Sequence, residues 1–355
     1  MFIRHLFSLR SHLLTLTITV CCVVCATYAL SSCSNDDGIL EDNKSNAIGF
    51  NTYLEGMIAT RSSETNASSI QTSGFGVLAA RTANNWTNTD KNADFMHDQK
   101  VSYSSTSWNY SPAKYWPTNG DKLSFWAYAP FGNSNITLSA ADATGAPTAT
   151  VSVPADGSNT VDFVTACAMN KTYNDYSSSQ GKVSLSLKHE MTRVAFKIVS
   201  TNVSLANKFD LLLHSVKLTG SKLCSQGTYT FPTTDGYVGS WSSVTANHTV
   251  TLTPSLAIQA DTQSEYIYLI PVSSLAAGEV KATINYSLKV SDGNSSTITI
   301  ANNADIELNL PASILQQGKS YILSFDPKQG TLKAEMEKWQ PETNEALDYN
   351  KWEWQ

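Results

Sequence analysis

Apolar and polar side chains alternate without a break over residues 281–290. Because successive side chains of a strand point to opposite faces, this period of two predicts a strand with one buried face. The Asp292-Gly293 pair that follows is typical of a hairpin turn, and the alternation resumes at 297–300. Further runs with the same period lie at 183–187, 209–213, 306–310 and 321–325. Many short strands joined by polar turns predict an all-β chain built from antiparallel sandwiches.

Helical periodicity is scarce by comparison. The two best candidates for helices are short, at residues 311–317 and 332–338. Strands do not alternate with helices along the chain, and such alternation is what a parallel α/β sheet requires. A nucleotide-binding fold of that kind is therefore not expected.

The N-terminus has the pattern of a targeting segment. Arg4 and Arg10 precede an apolar stretch at about 13–29, and the small residues before Cys33 resemble a bacterial lipobox. We predict a signal peptide at 1–32, an acylated Cys33 that anchors the protein through its lipid, and a flexible tether at 33–47. A permanent transmembrane helix is the alternative.

The length of 355 residues predicts two domains, because it exceeds the usual size of one. The polar stretch at 170–182 contains few apolar residues and is the best candidate for a boundary. We therefore predict an N-terminal β-sandwich at 48–180 and a C-terminal β-sandwich at 181–355. A long loop inside one domain is the alternative for this stretch.

Motifs that carry chemistry are incomplete in this sequence. Residues 318–320 match the end of a phosphate-binding loop, but the earlier glycine is missing and a strand follows. His189 and Glu190 begin like a zinc-protease motif, yet Arg193 stands where the second histidine must bind the metal. We expect neither an enzyme nor a bound metal or cofactor, and we expect His189 to be a hydrogen-bonded structural residue at a bend.

Composition and cysteine usage narrow the partners further. Charged residues make up 15% of the chain, the net charge is −6, and no basic patch favours nucleic acid. Outside the leader and its lipobox only Cys167 and Cys224 remain. They could pair in an oxidising compartment or stay as buried thiols.

Residues 114–130 form an aromatic block. In a strand at 123–129, Leu123 and Phe125 share one face while Trp126 and Tyr128 share the other. The pattern favours packing inside a sandwich, because large aromatic side chains chiefly supply buried area. An exposed Trp126 and Tyr128 pair that stacks on a sugar is the alternative.

Several segments occur in the order seen in fimbrillin-family lipoproteins of Bacteroidales, which this chain resembles. They are Ile48-Gly49-Phe50, Thr60-Arg61, Tyr115-Trp116-Pro117, the block 123–130 and the His-containing run 187–198. The resemblance implies two transthyretin-like β-sandwich domains in tandem, export as an outer-membrane lipoprotein, and assembly with other subunits into type V fimbriae.

The resemblance also implies a mechanism of assembly. A protease would cut after Arg61, the strand at 48–57 would leave, and a strand of another subunit would fill the apolar groove. Residues 332–355, with Trp339, Trp352 and Trp354, would be the donor. The alternative is a lipid-anchored fimbrial anchor or tip protein, or a surface adhesin that binds host or glycan ligands.

Overall fold

Strands dominate the computed structural model, which describes residues 46–54, 65–199, 209–253, 258–291, 297–337 and 339. The helices in these residues are α1 (Ala67–Ser73) and two 3-10 turns at Gly157–Asn159 and Tyr173–Ser179. The strands, in chain order, are β1 (Gly49–Leu54), β2 (Phe75–Thr82), β3 (Met96–Ser104), β4 (Ser107–Asn109), β5 (Lys122–Ala129), β6 (Ile136–Leu138), β7 (Thr148–Ser152), β8 (Val164–Lys171), β9 (Lys182–His189), β10 (Thr192–Ile198), β11 (Phe209–Gly220), β12 (Gln226–Thr230), β13 (Ser240–Thr245), β14 (His248–Leu252), β15 (Ile258–Gln259), β16 (Ile267–Leu269), β17 (Val280–Ser291), β18 (Thr297–Asn309), β19 (Ser320–Asp326) and β20 (Thr331–Glu337).

The period-two runs lie in strands, except for Leu310, which follows β18 directly, and this confirms the all-β prediction. Both expected helices are wrong. Residues 311–317 form turns, and 332–338 fall largely in β20, which pairs antiparallel with β19. The Lys, Ala, Glu and Met residues of β20 are good helix formers, but their intrinsic preference is worth only tenths of a kcal/mol each, so pairing with a neighbouring strand overrides it.

The first pair of sheets is built around the aromatic block. A seven-stranded sheet has the order β1-β9-β8-β5-β2-β3-β4, and a four-stranded sheet has the order β13-β12-β7-β6. Neighbouring strands are antiparallel except β1 and β9, which run parallel. The seven-stranded sheet is buried on both faces, because each face contributes side chains to a separate hydrophobic cluster.

The second pair of sheets contains the C-terminal strands. One sheet has the order β16-β10-β19-β20, and the other has the order β14-β11-β17-β18 with β15 beside β11. Here β10 and β19 are parallel, and the other pairs are antiparallel. Tyr286 of β17 packs on Phe325 of β19, with ring centroids 5.2 Å apart, so the two sheets share one core. No helix among the described residues combines the length and apolar character that crossing a bilayer requires.

Strand pairing does not follow the boundary predicted at residue 180. β9 begins at Lys182 yet belongs to the same sheet as β8, so the polar stretch before it is a connection within one sheet, as the alternative had it. β12 and β13 come later still, and β12 pairs with β7. The described residues all fall in one compact unit that begins at Asn46. A single boundary along the sequence cannot describe this arrangement, because strands that are distant in sequence pair in the same sheet.

Candidate functional site

The strand β1 is the edge of the seven-stranded sheet. Its only partner strand among the described residues is β9, in a parallel register from Gly49 opposite Lys182 to Leu54 opposite Leu187. Ile48, Phe50 and Leu54 are buried, whereas Asn51 is exposed. The segment therefore directs the side chains of Ile48, Phe50 and Leu54 to the interior.

We call the surface that receives these three side chains the β1 groove. Its centre is the pocket of Phe50, whose ring lies 6.3 Å from Phe75, 5.4 Å from Tyr110 and 5.8 Å from Phe125, measured between centroids. Burying three large apolar side chains contributes at most about 5–9 kcal/mol, since the denatured chain already hides part of this area. Removing β1 would expose the apolar side chains that pack against these three residues.

Main-chain hydrogen bonds fix the start of this segment. The Ile48 amide donates to the Lys114 carbonyl, and the Trp116 amide donates to the Asn46 carbonyl, each at 2.9 Å. The Tyr110 hydroxyl donates to the Ile48 carbonyl at 2.9 Å. Gly181 has a φ of 77°, and a Cβ there would lie 2.9 Å from the carbonyl oxygen of Ala47, so a glycine is needed for this close approach.

The far side of the expected cleavage point is also anchored. Thr65 is buried, its amide donates to Asp162 Oδ2 at 3.0 Å, and its hydroxyl donates to the Asp162 carbonyl at 2.6 Å. Arg61, the expected cleavage residue, falls in the segment 55–64, which lies outside the described residues, as does the expected lipidation site Cys33. The two ends of that segment, Leu54 and Thr65, are thus both held in the interior.

The end of the described chain is held by a second group of side chains, which we call the C-terminal clasp. Trp339 is 2% exposed; its indole stacks on the His189 ring at 4.0 Å and lies 4.5 Å from the Arg193 guanidinium. Glu337 accepts a hydrogen bond from the Tyr266 hydroxyl at 2.6 Å and another from the Ser320 hydroxyl at 3.0 Å. Arg193 Nε in turn donates to Ser320 Oγ at 2.8 Å.

This arrangement revises one expectation about the donor segment. Trp339 packs inside its own subunit, because aromatic and charged side chains of β9, β10 and β16 surround its indole. Trp352 and Trp354, the other two expected donor residues, lie outside the described residues.

The His-Glu pair of the run 187–198 has structural partners. His189 Nδ1 lies 3.0 Å from both carboxylate oxygens of Asp162. Glu190 accepts hydrogen bonds from Thr165 Oγ1 at 2.7 Å and Gln317 Nε2 at 2.6 Å. Burial nevertheless raises the pKa of the Glu190 carboxyl to about 7. Among the described residues, no three His, Cys, Asp or Glu side chains come together in a way that could hold a metal ion.

The expected stacking pair is buried. Trp126 and Tyr128 are 0% and 3% exposed, Trp126 Nε1 donates to the Pro232 carbonyl at 2.9 Å, and the Tyr128 hydroxyl donates to Asp98 at 2.6 Å. Because a sugar can stack only on an accessible ring face, the structure favours packing over ligand binding for this pair. Cys167 and Cys224 are buried free thiols.

Comparison with known proteins gives consistent results. A family model described as Fimbrillin-like matches residues 60–339. The chain is 26% identical, over 93% of its length and 98% of the relative's, to Fimbrium subunit Fim1C of Phocaeicola vulgatus. The crystal structure of a fimbrial protein from Bacteroides vulgatus has a TM-score of 0.62 at 23% identity, covering 83% of this chain and all of that one. A putative cell adhesion protein from Bacteroides ovatus has a TM-score of 0.51 at 15% identity, covering 84% of this chain and 99% of that one.

Proposed function

The chain belongs to the fimbrillin-like family, and on that premise we propose that it is a structural subunit of surface fimbriae that assembles by strand exchange. The protein is exported as a lipoprotein acylated at Cys33 and cut after Arg61. The segment that contains β1 then leaves, and a strand of another fimbrial subunit enters the β1 groove. No catalytic role is part of this proposal.

The observation that carries the proposal is the place of β1 in the fold. It is an edge strand that binds through parallel main-chain pairing with β9 and through alternate apolar side chains in pockets. These are the interactions by which an added strand binds a sheet edge, and they recognise a period of two more than a particular sequence. Another strand with the same period can therefore replace β1 without rearrangement of the sheet.

The donor is assigned to residues 340–355. Because the clasp holds Trp339 in its own subunit, the chain beyond it is the part that can reach a neighbour. Trp352 and Trp354 are two positions apart, as two residues on one face of a strand must be.

Cleavage at Arg61 by a trypsin-like protease tests the proposal. The cut protein should form a ladder of oligomers in mild detergent. Arg61→Ala should stay uncut and monomeric, whereas Arg61→Lys, which the same protease accepts, should give the ladder. A protein that is fully cut after Arg61 and has lost β1, yet remains monomeric, would contradict strand exchange.

A second candidate is a fimbrial anchor that keeps its lipid and its first strand. The firm attachment of both Ile48 and Thr65, on either side of the expected cut, supports it. Mass spectrometry of the fimbrial fraction separates the two candidates: a mature N-terminus at Cys33 supports the anchor, and one at Ser62 supports the exchanged subunit.

A further inference from the structure

Strand β9 contributes to both sites described above. Residues 182–187 pair with β1 along its whole length, and Lys188 and His189 pair with β8. Leu187, which stands opposite Leu54 of β1, is only two positions before His189, on which the Trp339 indole stacks. His189, on which the Trp339 indole stacks, thus belongs to the same strand as the residues that pair with β1.

A second connection joins the clasp to the chain that follows the expected cut. Thr65 holds Asp162 by two hydrogen bonds, and Asp162 holds the His189 ring at 3.0 Å. Asp162 and His189 are 0% and 1% exposed, so water does not compete for these bonds. After cleavage Thr65 would lie close to a new chain end, where ordering is weakest.

From these two connections we infer that occupation of the β1 groove is coupled to closure of the C-terminal clasp through β9 and Asp162. When the groove is empty, 182–187 lose their pairing with β1, His189 loses its fixed position, and Trp339 is released from the clasp. When a strand fills the groove, the clasp closes again. The inference rests on the proposed function, since it assumes that β1 can leave, and it adds a control over when a subunit releases Trp339.

The coupling must be reciprocal, which makes it measurable from both ends. The factor by which a filled groove lowers the equilibrium constant for opening of the clasp equals the factor by which a closed clasp strengthens binding of the strand. We expect a factor of about ten, within the usual range for coupled sites.

Hydrogen exchange of β20 provides the first measurement. It is compared in the uncut protein, in protein cut after Arg61 and freed of β1, and in the same protein refilled with a synthetic peptide of residues 46–57. Exchange over Thr331–Glu337 should rise about tenfold when the groove is emptied and fall again on refilling. Unchanged exchange in β20, in protein whose β9 exchange shows that the groove is empty, would overturn the coupling.

Peptide affinity provides the second measurement, with a matched pair of variants on β19. Ser320→Ala removes the hydroxyl that bridges Arg193 and Glu337, and should weaken peptide binding by the factor by which it opens the clasp. Ser324→Ala removes a buried hydroxyl of the same strand that has no hydrogen-bond partner among the described residues, and should leave affinity unchanged. Equal affinities for the two variants, with the clasp shown to be open in Ser320→Ala, would contradict the coupling.

If β1 does not leave after cleavage, that outcome counts against the proposed function alone. The coupling is then tested in the uncut protein. In the uncut protein Trp339→Phe, which keeps a ring in the clasp, should then speed exchange over 182–187 of β9. The control is Met336→Ala, which changes a 60% exposed side chain of β20. Identical β9 exchange in the two variants would overturn the inference.

Discussion

The β1 groove and the C-terminal clasp hold the two ends of the described part of the chain by different interactions. In the groove, Phe50 packs among three aromatic rings, Ile48 and Leu54 are also buried, and main-chain hydrogen bonds hold the segment. In the clasp, one indole packs against an imidazole and a guanidinium, and Glu337 is fixed by two hydroxyl groups. The groove thus recognises a backbone with alternate apolar side chains, whereas the clasp recognises particular side chains. Under the proposed function, this difference separates a strand that is exchanged from a chain segment that its own subunit retains.

The largest effect is expected in the groove. Phe50→Ala should lower the free energy of unfolding by about 3–5 kcal/mol, because it removes a buried ring and leaves a cavity between packed aromatic side chains. Asn51→Ala changes the neighbouring exposed position and should have little effect. Urea denaturation of the uncut protein measures both. Equal stabilities would mean that β1 is not a packed part of the fold.

The region beside the clasp should also make the stability of the protein depend on pH. The pKa of Glu190, beside the clasp, is raised by burial from 4.5 to about 7. The folded protein therefore holds this proton more tightly than the unfolded chain, and its contribution to stability is complete below pH 4.5 and lost as the pH rises to about 7. The loss should be about 3 kcal/mol.

Glu190→Gln carries no charge at any pH and should remove that part of the pH dependence. Urea denaturation between about pH 4 and about pH 8 measures it. The control is Glu335→Gln, at an exposed position of β20, which should leave the slope as it is. A slope unchanged by Glu190→Gln would show that this carboxyl does not titrate in the range.

A smaller effect distinguishes the clasp from an ordinary ion pair. The Arg193 guanidinium lies 4.1 Å from the Tyr266 ring and 4.5 Å from the Trp339 ring. Arg193→Lys should cost about 1–2 kcal/mol, since an ammonium cannot stack on both rings with a planar group. Arg81→Lys, in an exposed pair with Asp121, should cost under about 0.5 kcal/mol. Thermal denaturation compares the two, and an equal cost would argue against stacking in the clasp.

The smallest effect concerns the link between the regions. Thr65→Val removes the hydrogen bond to the Asp162 carbonyl but keeps the amide bond to its carboxylate, and should cost about 1 kcal/mol. Thr72→Val removes an exposed hydrogen bond within α1 and serves as the control. If both variants have wild-type stability, the attachment of Thr65 contributes nothing and the link through Asp162 is weakened.

The sequence predicts the strands well and their partners poorly. Alternation is a local property, so β17 and β9 can be located from their own residues. The pairing of β1 with β9 joins residues 133 positions apart, and no local pattern specifies it. The same limit explains why β8 and β9, on either side of the boundary predicted at residue 180, share a sheet. It also explains the missed strand β20, whose residues favour a helix until β19 lies beside them.

The site shows the same division. Phe50 lies in one of the segments that carry the family resemblance, but the roles of Gly181 and Asp162 were not predicted, because they arise from contacts with distant parts of the chain. A glycine in a polar stretch gives a weak signal for a turn; it gives none for a close approach to Ala47. Trp339 was expected to serve another subunit and instead packs in its own.

The sequence by itself determined that this protein is an all-β member of a fimbrial family with a strand-like segment before a basic residue. Only the tertiary structure decided which strand faces that segment, which end of the chain is held in its own subunit, and how β9 connects the two. The physical reason is the separation in sequence of the residues that set each property. Side-chain periodicity depends on a few neighbouring residues, whereas pairing and burial depend on residues brought together from the whole chain.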